Sequence, residues 1–341
     1  MARDLPAIGA NLSRYLTQQW DRPVQATDLV ETSVGARRGN ILFDAVSDDG
    51  RGETRNPLVV TIYPPAGAVI FGVEAETGAL RLVEAAGAPV AHVHEVCPDP
   101  SWFGEPFFIS TRIEGDTLPR NILRRVAARP ELGPRIGAQL GAAFAAIHAV
   151  DAEAAPAELR RDVAGVAPSR AALDLMAEQI DELLQPAPVL ALGFRWLRDN
   201  QPDPPPRQTL VHGDVRNGNI IIGDDGLAAV LDWEGAHTGD PHEDLGWLCV
   251  RTWRFGNDSM EVGGICSREP MIEGYQAAGA HFDPHAYAWW KVFGTLKWGL
   301  GLAKQARQHL DGTYRYIAMA GSGRRVCELE YDLLRLLSRL I

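Results

Sequence analysis

The stretch LVHGDVRNGNIIIGDDGLAAVLDWE, residues 210–234, sets His212, Asp214 and Asn219 in one short loop and brings in Asp232 two apolar runs later. Two carboxylates and an amide oxygen form an all-oxygen donor set. Such a set suits a hard cation such as Mg²⁺, whereas zinc would want nitrogen and thiolate ligands. One carboxylate to orient and deprotonate a hydroxyl, beside an amide and a second carboxylate that hold Mg²⁺ on nucleotide phosphates, is the equipment of phosphoryl transfer. The competing reading is a solvated turn, because Asn and Asp are common turn residues. The order of the set, with strands between its members, favours the chemistry.

Those strands do the positioning. TLVH, NIIIG and LAAVLDW are short apolar runs, and GDDG supplies a turn between the second and third. The loop after the first strand carries Asp214 and Asn219, and the third strand delivers Asp232 to the same end of the hairpin. Asp214 and Asn219 stand at the separation of the Asp and Asn in the catalytic loop of protein kinases. His212 and Gly213 are expected to shape the loop, and Arg216 either contacts a phosphate or pairs with a carboxylate. Downstream, HTGDPHED offers His237, Asp240, His242 and Asp244, which invites a metal-hydrolase reading. Pro241 and the lack of a helical His pair with a supporting third ligand argue for an architectural segment instead.

Around this stretch the 341-residue chain changes character. An amphipathic helix, IGANLSRYLTQQW, comes first. Residues 27–113 then read as a small antiparallel sheet with one helix. The strands include NPLVVTIYPP, stopped by Pro64 and Pro65, and the short AHVHEVC and PFFISTRI; the helix lies in VIFGVEAETGALRLVEAAG. Beyond them helical periodicity dominates. Ile136, Leu140, Phe144 and Ile147 share a face, Asp283 with Pro284 opens a helix running to about Gly312, and GSGRRVCELEYDLLRLLSRLI reads as one final helix. The expected architecture is α+β and two-lobed, with a sheet-bearing N-lobe over 1–112 and a larger, mainly helical C-lobe over 113–341.

Composition excludes several partners. A net charge of −11 lacks the clustered excess of Lys and Arg that nucleic-acid binding needs. Cys97, Cys249, Cys266 and Cys327 are too scattered for a disulfide framework or a metal knuckle. The N-terminus has no secretory h-region and no apolar run is long enough to span a bilayer. A cytoplasmic protein with neither nucleic-acid nor membrane partners is expected. From Trp233 onward, 13 acidic residues balance 12 basic ones, which disfavours a polycationic acceptor.

HGDVRNGN, VLDWE and GDPHEDLGWL closely resemble the aminoglycoside phosphotransferase and choline kinase superfamily, which has a protein-kinase-like fold. LDWEGAHTGDPHEDLGWLCVRTWRFG and GRRVCELEYDLL look more narrowly like bacterial phosphotransferases related to the kinase domains fused to some acyl-CoA dehydrogenases. The resemblance implies an ATP- and Mg²⁺-dependent kinase acting on a small-molecule hydroxyl, with GTP as an alternative donor and a hydroxyacyl-CoA as an acceptor to consider. It makes Asp214 the catalytic base, Asn219 and Asp232 the Mg²⁺ ligands, and His212, Arg216, Glu234 and Asp244 supporting residues.

For the N-lobe, the resemblance implies a turn over the nucleotide, here SVGARRGN with Gly35, Arg37, Arg38 and Gly39. Backbone groups from Thr111 to Ile113 would meet the purine. A basic residue on the third strand would grip the phosphates and pair with a helix Glu, for which Glu76 is the candidate. Where the relatives read LVLRLYPP this chain reads LVVTIYPP, so Thr61 stands at the basic position, and the first lysine is Lys291. Either Arg37 or Arg38 substitutes, or the chain is a non-catalytic nucleotide- or metabolite-binding relative.

Overall fold

The structure, a computed structural model, describes residues 4–32, 38–48, 50, 52–64, 70–161, 165–181, 183 and 185–340. Helix α1 (Leu5–Trp20) begins where the Asp4 carboxylate accepts the Ala7 amide at 3.1 Å. It leads into β1 (Val24–Glu31), β2 (Gly39–Asp48), β3 (Glu53–Ile62), helix α2 (Val73–Ala85), β4 (Val93–Cys97) and β5 (Phe107–Thr111). The five strands form one antiparallel sheet in the order β1-β2-β3-β5-β4.

Alternation along the strands gives this sheet two different faces. Leu58, Val60 and Ile62 of β3 and Phe107 and Ile109 of β5 join Ile41 and Phe43 beneath Leu12, Tyr15 and Leu16 of α1. Phe108 and Tyr63 turn the other way, into the core shared with Ala79 and Val83 of α2. Thr61, two residues before Tyr63, belongs to that second face by the same alternation. That core continues into Ile220, Ile222 and Val230, so α2 shares a core with the strands that flank residues 212–219.

The chain continues through α3 (Pro119–Ala128), α4 (Leu132–His148), α5 (Pro168–Asp181) and α6 (Pro188–Asp199) to β6 (Thr209–Val211). The hairpin β7 (Ile220–Gly223) and β8 (Gly226–Val230) follows, then β9 (His237–Gly239), which pairs with β6. Helices α7 (His242–Leu248), α8 (Glu269–Ala277), α9 (Pro284–Leu310), α10 (Ile317–Gly323) and α11 (Val326–Leu337) complete it. The final segment is therefore two helices rather than one. They part at Arg324 and Arg325, just after Gly321 and Gly323, which are weak helix formers.

Helices α4 and α8 cross closely: a Cβ on Gly141 would lie 2.1 Å from the Met271 carbonyl oxygen. The face of α9 bearing Gly294 and Lys297 lies on α7, with Gly294 against the Trp247 ring. Among the described residues no helix is long and apolar enough to cross a membrane.

Candidate active site

The loop of residues 212–219 is built between two anchored strands. β6 pairs with β9, setting Val211 opposite His237, and the β7–β8 hairpin sets Ile220 opposite Val230. Just past that hairpin, Leu231 donates its amide to the Asn219 carbonyl at 2.8 Å, which brings Asp232 beside the loop. Gly213 is required here on two counts. Its φ is 78°, and a Cβ would lie 2.5 Å from the Gly235 carbonyl oxygen.

Asp214 is partly exposed, with 26% of its side chain accessible, yet both of its carboxylate oxygens are held. Asn219 donates Nδ2 to Oδ2 at 2.9 Å, and the Trp247 indole donates to Oδ1 at 2.9 Å. Arg216 stands 3.6 Å from Oδ2 with its guanidinium 5.2 Å from the centre of the Trp253 ring. Arg216 thus pairs with the carboxylate. Burial, the largest influence, pushes the Asp214 carboxyl above its ordinary range; Arg216 and His212 oppose that push, Asp232 adds to it, and Lys297 opposes it.

Asn219 spends its Nδ2 on Asp214, so its amide oxygen is the atom suited to a cation. Asp232 is exposed and adopts the left-handed region, φ 65° and ψ 68°. That conformation costs a non-glycine residue about 1 kcal/mol or more and is concentrated at functional sites. The donor set around the loop is oxygen throughout, as a hard divalent cation requires.

His212 and Asp244 hold the loop in shape. Fully buried Asp244 accepts the amides of His212 and Gly213 at 2.8 Å each, and also accepts from His148 Nε2 at 3.0 Å. His212 bonds through Nε2 to the Leu231 carbonyl at 2.9 Å, while its Nδ1 accepts the Asp214 amide at 3.2 Å. The HTGDPHED histidines have local partners as well. His237 meets Glu243 at 3.0 Å, and His242 bridges Asp240 at 2.9 Å and the Asp283 amide at 2.9 Å. Among the described residues no His, Cys, Asp and Glu side chains group as metal ligands.

On the side of the five-stranded sheet, Gly35 and Arg37 lie outside the described residues. Gly39 opens β2 and faces Ile62, and the Thr61 hydroxyl donates to Asn40 Oδ1 at 2.9 Å. Glu76 has a mate: Arg38 donates Nη1 to its Oε1 at 2.6 Å, and the Tyr63 hydroxyl donates to its other oxygen. Glu234, beyond Asp232, stands 3.6 Å from Arg38 Nε. The amides of Thr111 and Arg112 are donated within the sheet, to His92 and Pro57, so they are not offered to a ligand. Among the described residues Ile113 donates its amide to no main-chain carbonyl.

Sequence reasoning missed Trp247, His148 and Tyr63. For Trp247 a signal existed: it lies three residues after Asp244, so on a helix anchored by Asp244 it rises one turn toward the same loop. Trp247, whose indole holds Asp214, packs with Trp253 and Trp298, with ring centres 5.0–6.3 Å apart. Lys297 sits 5.0 Å above the Trp247 ring and 3.2 Å from Glu243.

Residues 37–290 match the family model of the phosphotransferase enzyme family, APH. Among curated proteins, acyl-CoA dehydrogenase family member 10 of Mus musculus is 28% identical over 196 residues, covering 56% of this chain and 17% of that much longer protein. A candidate aminoglycoside phosphotransferase from Ralstonia eutropha superposes with a TM-score of 0.72 at 20% identity, covering 97% of this chain and 98% of the other. A thermostable mutant of aminoglycoside phosphotransferase APH(4)-Ia, in ternary complex with AMP-PNP and hygromycin B, gives a TM-score of 0.61 at 16% identity, with 94% and 98% covered. At these identities the solved structures establish a shared fold.

Proposed function

The chain belongs to the phosphotransferase enzyme family and is a small-molecule kinase; on that premise we propose that it transfers the terminal phosphoryl group of ATP, with Mg²⁺, to a hydroxyl of a metabolite. The observation that carries this reading is Asp214, a partly exposed carboxylate fixed through both oxygens beside Asn219 and within electrostatic reach of Asp232. In this mechanism Asp214 accepts a hydrogen bond from the acceptor hydroxyl and takes its proton as the new O–P bond forms and the bond to the departing ADP oxygen breaks. Asn219 and Asp232 would hold Mg²⁺, which when bound supplies positive charge to the phosphate oxygens. His212 and Asp244 keep the loop in place, and at the 111–113 connection the amide of Ile113, unlike those of Thr111 and Arg112, would be free to meet the purine of ATP or GTP. The division into lobes at 112/113 belongs to the same proposal.

The acceptor is proposed to be anionic with an apolar body, a hydroxyacyl-CoA being one such compound. The tryptophan cluster with Arg216 and Lys297 over its rings supports this, as does the likeness to an acyl-CoA dehydrogenase family member. Phosphate transfer to neutral sugars, with none to hydroxyacyl-CoA compounds, overturns that choice of acceptor.

Titration calorimetry with ATP tests the nucleotide reading directly. Binding should need Mg²⁺ and weaken by more than about tenfold in Asp232→Ala. No detectable binding by the wild-type protein at millimolar ATP would refute it.

Trp247→Phe tests how the base is held. Because the Asp214 carboxyl titrates above its ordinary 3.8, activity should fall away on the acid side through that raised value. Removing the indole donor strips a hydrogen bond from the charged form, so the acid limb should move further upward, with kcat down roughly tenfold. An unchanged acid limb would show that the indole merely packs.

A further inference from the structure

We propose that the phosphate-gripping cation of this fold has crossed the β2–β3 hairpin: Arg38, immediately before β2, binds the nucleotide phosphates in place of a basic residue on β3. The assignment rests on the phosphotransfer reading above and names the residue that completes it.

Strand register makes the exchange geometrically natural. Gly39 faces Ile62 and Asn40 faces Thr61, so period-two alternation puts Arg38 and Asn40 on the same face as Thr61 and Tyr63. Continuing that register by one residue sets Arg38 against Tyr63, and its guanidinium lies 4.7 Å from the Tyr63 ring centre. A cation launched from either strand of the hairpin therefore reaches the same face of the sheet. Thr61, turned to Asn40, contributes no charge there.

The surroundings of Arg38 are those of a phosphate-binding cation and not of an idle surface arginine. Its side chain is 9% exposed and is paired with Glu76, whose side chain is 3% exposed. An ion pair between the gripping cation and a glutamate of this helix is what kinase-type phosphoryl transfer requires. On its other side Arg38 approaches Glu234, so one guanidinium joins α2 to the segment that bears Asp232. That approach is made by its buried Nε–H, 3.6 Å from Glu234 Oε2 and beyond hydrogen-bond length. A planar guanidinium bonded to Glu76 through Nη1 still has donors to direct at phosphate oxygens.

The test uses the full chain, with MgAMP-PNP binding by titration and ATP turnover as separate readouts. Arg38→Met keeps much of the side-chain volume and removes the charge. It should weaken MgAMP-PNP binding at least tenfold and lower kcat/KM on the order of 10²-fold. Adding Thr61→Lys should return both to within about tenfold of wild type, because the cation is restored from the facing strand. Thermal unfolding of each variant shows that the losses are measured on folded protein. The assignment is overturned if Arg38→Met binds MgAMP-PNP and turns over within threefold of wild type. It is equally overturned if the folded double variant recovers nothing. Failure of the wild-type protein to bind MgAMP-PNP is a different result, and sinks the phosphotransfer reading itself.

Discussion

Asp214→Asn is expected to lower kcat by about 10³-fold or more while leaving the fold intact. Asparagine matches the carboxylate in shape and can still accept from Asn219 or Trp247, so the loop has little reason to move. What disappears is the proton acceptor. MgATP affinity should stay within about threefold of wild type, because the nucleotide contacts assigned above lie on other residues. Stability supplies an independent check with a definite sign. The folded-state pKa of Asp214 is raised by burial, so its ionised form is less favourable in the folded protein than in the unfolded chain. That penalty is absent below the ordinary carboxylate value, grows as pH rises through the raised one, and persists at neutral pH. Asp214→Asn should therefore unfold at the same temperature as wild type or slightly higher at pH 7, with any advantage fading below about pH 4. Turnover near the wild-type rate would remove Asp214 from the role of base.

The parts of this site that sequence revealed are those encoded in local order. Asp214, Asn219 and Asp232 could be read together because the strands between them are short and apolar and the turn between β7 and β8 is marked by glycines. Asp244 was legible as a brace through the family resemblance of its segment, and its three accepted hydrogen bonds give that role a physical form. The partner of Glu76 was left open, Glu76 either having lost its mate or having Arg37 or Arg38 as a substitute, and the structure pairs it with Arg38. The choice depends on the register between β2 and β3, and register is set by pairing of strands rather than by either strand alone. Trp247 and His148 escaped because their partners lie 33 and 96 residues away, on helices whose rotation toward the loop no local pattern specifies. The 111–113 connection shows the opposite limit. Only the family resemblance pointed to it, and that the amides of Thr111 and Arg112 are spent on His92 and Pro57 follows only from how β5 pairs.

Asp244→Ala is expected to be the most destabilising substitution at this site, costing about 3–5 kcal/mol, which corresponds to a fall in Tm of roughly 5–10 °C. The reason lies in what the truncation leaves behind. Asp244 is fully buried, and removing its carboxylate strands the amides of His212 and Gly213 and the Nε2 of His148 where water cannot reach them. The damage extends to α8, because His148 Nδ1 meets the Tyr275 hydroxyl at 3.0 Å and so links that helix to the loop. Burial alone would raise the Asp244 carboxyl, but the bond to His148, the charge of His148 and His212, and the His212 amide together hold it below the ordinary value. A carboxylate depressed in this way contributes its full stability above the ordinary value and loses it as pH falls through the folded one. The difference in Tm between wild type and Asp244→Ala should thus be constant above about pH 5 and shrink below pH 4. Asp244→Asn separates charge from contact: it keeps one acceptor oxygen but turns an N–H toward donors, so it should recover only part of the loss. Turnover should drop in both variants, since Gly213 is the residue before the proposed base and its amide is held by Asp244 alone among the described side chains. A variant Asp244→Ala that unfolds within about 1 kcal/mol of wild type would mean that the loop is held by the β6–β9 pairing and not by this carboxylate.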